Sequence, residues 1–223
     1  MLPFTIEEFL NVFAQYNQAI WPAQIVAYVL GVVAVIAAVK SFRHSSRLVS
    51  GILALVWVWV GIVYFMLHFK TINPPAGVFG AFFVLQGLLF LIFGVFGSRL
   101  QFQARPDARG IIGGLFILYA MVIYSVLGYF FGHVYPHSPV FGVAPCPTLL
   151  FTFGLLLWTS IRFPWYLLIV PTLWALVGIS AAANLGVRED FALPLSWLIT
   201  IILLIARGRS MAPKSETKEV PLA

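Results

Sequence analysis

The side chains best suited to chemistry crowd into residues 132–148, GHVYPHSPVFGVAPCPT. This stretch holds His133, His137, the single cysteine Cys146 and four of the fourteen prolines. Imidazole nitrogen and thiolate sulfur together suit Zn(II) or copper, so His133, His137 and Cys146 form one candidate metal set. Their H-x-x-x-H spacing aligns the two rings only if a helix continues through it, and Pro136 opposes that. Cys146 precedes Pro147, a residue favoured at the first helical position. Cys146 is therefore expected at a helix N-cap, where the dipole stabilises a thiolate and makes the thiol reactive. With no second cysteine, an intramolecular disulfide is excluded.

His68, in FMLHFKTINPP, ends another apolar run. Gln86 lies near the middle of VFGAFFVLQGLLFLIFG, where a carboxamide needs an interhelical partner; Tyr64, Tyr124, Ser125 and Thr152 are candidates by depth. His68, His133, His137, Cys146 and Gln86 are thus the candidate residues for ligand or substrate access. A plainer reading stands beside this one: interfacial histidines, a buried small cysteine and a proline-stiffened loop folded over a bundle mouth. No carboxylate pair or serine–histidine arrangement falls on one face, so no enzymatic activity is expected and no cofactor is specified.

These residues need elements to hold them, and composition names the solvent of those elements. The chain is 61% apolar and 9% charged, with a mean hydropathy of +1.00. Soluble domains carry about a quarter charged residues. Lipid must surround most of the chain. Runs long enough to cross about 30 Å of hydrocarbon occupy residues 21–39, 48–69, 77–97, 110–131, 147–161, 164–183 and 191–206. The expected fold is an all-α polytopic bundle of seven transmembrane helices over residues 21–206. The fifth run is short and a tight FP turn follows it, so six spans with a re-entrant piece is the rival count. Gly110/Gly114 and Gly128/Gly132 form G-x-x-x-G pairs that would serve close helix packing.

Residues 1–20 lack a basic opening, so no cleavable signal peptide is expected. They read as an amphipathic interfacial helix: Thr5 and Glu8 fit a capping box, and Phe4 with Phe9 its hydrophobic staple. Ile6, Phe9, Leu10, Phe13, Tyr16 and Ile20 would share its apolar face. Residues 207–223 read as a basic, unstructured cytoplasmic tail.

Charge sets the expected orientation. With the N-terminus outside, the inner segments hold Lys40, Arg43, Arg47, Arg99, Arg105, Arg109, Arg162, Arg207, Arg209, Lys214 and Lys218. Only Lys70 and Arg188 remain outside, a strong positive-inside bias. Topology thus accounts for the basic residues without nucleic acid. Glu7, Glu8, Glu189 and Asp190 fall in the outer segments, and no span interior contains Asp, Glu, Lys or Arg. Ion-coupled carriers usually keep such a group at membrane depth, so secondary active transport is disfavoured. A retinal protein is excluded because the last span, FALPLSWLITIILLIA, has no lysine for a Schiff base.

The segments LPFTIEEFLNVFAQYN, AIWPAQ, INPPAGVFGAFFVLQGLLFL and GHVYPHSPVFGVAPCPT followed by LLFTFGLLL resemble a bacterial membrane family catalogued as domain of unknown function 6064. The resemblance runs through most of the chain and weakens in the tail. It implies an integral, multi-pass protein of a bacterial plasma membrane, and it assigns no activity to any residue. Three readings compete: a small permease or channel-like transport protein with His and Cys at its outer mouth, a metal- or haem-binding sensor or redox accessory protein, and a non-catalytic scaffold subunit. Expected partners are the bilayer, a small solute or metal ion, and a homo-oligomer or larger membrane complex.

Overall fold

The computed structural model describes residues 3–97, 99–160 and 163–210. The expectations for Arg162 and for the tail beyond residue 210 lie outside the described residues. The described chain is all-α, with no strand and one isolated bridge between Phe102 and Thr159. Its helices are α1 (Ile6–Ala19), α2 (Ala23–Lys40), α3 (Ser45–Thr71), α4 (Ala76–Phe96), α5 (Ala108–Phe130), α6 (Pro145–Leu157), α7 (Trp165–Leu185) and α8 (Ala192–Ser210). A 3-10 turn, Arg188–Phe191, leads into α8. Among the described residues, six helices are long and apolar enough to cross a membrane: α2, α3, α4, α5, α7 and the helix formed by that turn with α8.

The seventh apolar element, α6, has 13 residues. At 1.5 Å per residue it spans about 20 Å, short of the hydrocarbon thickness. All of its residues are buried, whereas the outer helices expose Val, Ile and Leu. A helix buried on every face belongs inside the bundle, and α6 packs chiefly on α5, α8 and α3.

Hydrogen bonds define two faces. On one, Asn17 Nδ2 donates to the carbonyls of Pro136 (2.7 Å) and Ser138 (2.8 Å), and Tyr16 donates to Val143 O at 2.7 Å. On the other, Gln103 N donates to Trp158 O at 2.7 Å, Ala104 N to Ala38 O at 3.2 Å, and Phe102 N to Ser46 Oγ at 3.0 Å. The short α6 reaches from the first set to the second because residues 132–144 descend to meet it. Phe141 packs on Phe151 of α6 at 4.9 Å between ring centroids, and against Gly31 of α2, where a Cβ would sit 2.6 Å from its ring. Gly132 (φ 90°) and Gly142 (φ 75°) bracket the descent with left-handed backbone, the conformation glycine adopts most cheaply.

The capping box of α1 is formed: Glu8 N donates to Thr5 Oγ1 and Thr5 N to the Glu8 carboxylate. Phe4 stacks on Phe9, as the staple requires. The buried face runs through Phe9, Val12, Phe13 and Tyr16, while Ile6 is exposed. The helix packs on protein, with Phe13 stacked on Tyr64 of α3 at 5.0 Å. The glycine seams differ from the expected pairs. Backbones meet at Gly113 of α5 and Gly154 of α6, and at Gly61 of α3 and Gly80 of α4. Gly110 faces its own chain at Arg105, and a Cβ on Gly132 would meet nothing within 4 Å.

Candidate functional site

The largest departure from the sequence reading is at residues 189 and 190, which were assigned to an outer loop. α7 stops at Leu185 with Gly186 in the left-handed region (φ 69°), and the 3-10 turn that follows folds inward. Glu189 is 1% exposed and Asp190 4%. Two adjacent acids are therefore buried at the start of the last span, where the sequence places them in an outer segment. Charged groups withdrawn from water are costly unless partnered, and here the partners come from three elements.

Tyr124 of α5 donates to Asp190 Oδ1 at 2.5 Å, and Tyr119 donates to the Glu189 carbonyl at 2.9 Å. These tyrosines are five residues apart, a spacing that points in different directions on a regular α-helix. Residues Tyr119–Ile123 form a π-helical segment, whose i→i+5 bonding brings such a pair onto one face. His133, in the descending loop, completes the set: its Nδ1 lies 2.8 Å from Glu189 Oε1. The hydrogen bond to Glu189 raises the His133 pKa above its ordinary value; desolvation opposes it, and the negative charges of Glu189 and Asp190 add to it. Gly128 makes room for the carboxylate, since a Cβ there would lie 3.1 Å from Glu189 Oε1. Glu189 Oε2 is buried and has no hydrogen-bond partner among the described residues.

Cys146 reaches the same cluster, its thiol close enough to Asp190 to interact with the carboxylate. The helix N-cap is Ala144, so Cys146 is the second helical residue and is 8% exposed. A buried thiol beside a carboxylate is not the accessible, thiolate-like cysteine expected from sequence.

His133 and Cys146 thus converge on the acid pair, but the other candidates do not join them. His68 Nδ1 lies 2.8 Å from Val63 O, five residues back along the π-helical segment Val60–His68, and its ring stands edge-on to Tyr16. His137 is exposed and lines a surface cavity with Glu7 and Tyr135. The proposed metal set of His133, His137 and Cys146 is therefore not assembled. Among the described residues no group of three or more His, Cys, Asp or Glu is arranged to hold a metal ion. Gln86 Nε2 donates to Leu167 O at 3.1 Å, joining α4 to the start of α7, and Oε1 has no partner. None of its expected partners is used; Thr152 accepts from Trp57 Nε1 instead.

Sequence reasoning missed Glu189, Asp190, Tyr119 and Tyr124. The only local signal was GVREDFALP, two adjacent acids between a glycine and a proline-bearing apolar helix.

A helical bundle with six membrane-length apolar helices and a buried shorter one is a multi-pass membrane protein. The chain belongs to the family of unknown function DUF6064, whose model matches residues 6–214. No curated protein and no solved structure matches it.

Proposed function

We propose that the protein is a small permease of a bacterial plasma membrane, in which solute movement is linked to the buried acid pair Glu189 and Asp190. The observation that carries this reading is the buried Glu189–Asp190 pair, one carboxylate oxygen of which has no partner among the described residues. Ionisable groups held away from water inside a membrane bundle mark ion and proton pathways by default. Here they lie beside a helix break, the kind of feature transporters use for ligand sites.

The coupling follows from the His133 contact. The His133–Glu189 contact holds the descending loop against the bundle, and breaking it frees residues 132–144 at the mouth. We read seven crossings, α6 with its descending loop being one of them, with the N-terminus outside and the arginine-rich face in the cytoplasm.

Purified protein in liposomes on a solid-supported membrane would be challenged with sugars, amino acids, organic acids and amines under a pH gradient. At least one class should evoke a transient current that collapses in Glu189→Gln. If no compound evokes more current in the native protein than in the variant, the permease reading fails. The scaffold reading would then lead, favoured by the several hydrogen bonds from Tyr16 and Asn17 that tie the loop down.

A further inference from the structure

The face opposite the acid pair carries a separate feature. A cavity of about 400 Å³ opens where the connection before α5, the first turn of α5, the end of α6 and the end of α8 meet. Three arginines line it, each from a different element: Arg105, Arg109 and Arg207. They are close enough for their charges to repel. Among the described residues that line it, Asp107 is the acid; it caps α5 by accepting from Gly110 N at 2.8 Å and pairs with Arg109 at 2.9 Å. Arg207 is buried and donates to the Thr159 carbonyl and hydroxyl, which holds its guanidinium in place. Arg105 donates to Gln103 and is exposed at the rim. Trp158 and Leu203 add apolar lining, with the Trp158 indole fixed by a 2.8 Å bond to Gly110 O.

Converging arginines create a cost that an anion relieves, and guanidinium groups match phosphate oxygens in pairs. The apolar lining adds a preference for an ester over a bare ion. We propose that this cavity binds an anionic phosphate ester, its phosphate held by Arg105, Arg109 and Arg207 and its organic part lying against Trp158 and Leu203. The site lies at the ends of the long helices, the level of lipid headgroups, and basic pockets at this position take such groups. This inference does not depend on the transport reading.

Two sources supply this chemistry, a membrane lipid and a soluble phosphate ester, and the test separates them. Full-length protein in phosphatidylcholine nanodiscs would be titrated with phosphatidylglycerol and bound lipid read by native mass spectrometry. In parallel, detergent-solubilised protein would be heated with glycerol 3-phosphate. We expect phosphatidylglycerol to be retained over phosphatidylcholine, with Arg105→Gln weakening retention about fivefold. Arg99→Gln, a basic residue of the same face that stacks over Phe93 outside the cavity, should change nothing. Stabilisation by glycerol 3-phosphate alone, lost in Arg105→Gln, would support the site and assign it a soluble ligand. An unliganded melting temperature unchanged by Arg105→Gln checks the fold. No preference in either arm, or equal losses in Arg105→Gln and Arg99→Gln, would overturn the proposal.

Discussion

His133 and Glu189 stand 56 positions apart in sequence and 2.8 Å apart in space, and their contact makes stability depend on pH. His133 lies beyond the end of α5, outside the spanning helices, and its pKa is raised above the ordinary 6.5, chiefly by the Glu189 hydrogen bond. A group whose folded pKa is raised stabilises the fold fully below its unfolded value and loses that contribution as pH climbs through the folded one. Stability from this pair is therefore present below 6.5 and declines above it. Asp190 strengthens the effect through its charge. The melting temperature of the native protein, measured against His133→Gln, should show its greatest advantage at the acid end and converge on the variant as pH rises. An advantage that grows with pH would mean that His133 is held neutral.

Helix ends and helix seams were unequally legible in the sequence. The Thr5–Glu8 box of α1 was readable because both partners lie within one turn. Apolar length gave the long helices for the same local reason. Which glycine faces a neighbour is not local: the G-x-x-x-G spacing on α5 points to Gly110 and Gly114, whereas the packing uses Gly113. Its Cβ would lie 2.7 Å from Gly154 O, and a Cβ on Gly154 would lie 2.6 Å from Gly113 O. Both obstacles are backbone atoms that cannot step aside. Gly154→Val should therefore destabilise the protein by about 1–3 kcal/mol or more through overpacking. Gly114→Ala meets only ordinary contact with Trp158 at 3.7 Å and exchanges a poor helix former for the best one. Unfolding in detergent should separate the two variants in that order; similar midpoints would mean that α5 and α6 part more easily than their contact implies.

At the scale of the whole chain, membrane character was legible from composition, but the site was only half legible. The proline-rich segment drew attention to His133 and Cys146, which do reach the acid pair. Glu189 and Asp190 were hidden because hydropathy assigns any charged connection to water, and only the tertiary path of the turn after α7 shows otherwise. The buried α6 was hard to count for a related reason. It is too short to span alone, and the descent of residues 132–144 that completes it depends on contacts with α1 and α2. Orientation is testable through the lone thiol. Cys146 is buried, so an impermeant maleimide should leave the native protein unlabelled in intact spheroplasts, which makes the native chain a silent background. Single cysteines would replace Lys70 and His137 on one face, Arg43 and Arg105 on the other, and Ser215 in the tail; the first four are exposed. With seven crossings and the N-terminus outside, Lys70→Cys and His137→Cys label in intact spheroplasts. Arg43→Cys, Arg105→Cys and Ser215→Cys label only after the membrane is opened. The opposite pattern throughout would invert the protein. Ser215→Cys labelling together with Lys70→Cys would make the number of crossings even, and α6 would then not carry the chain from one side of the membrane to the other.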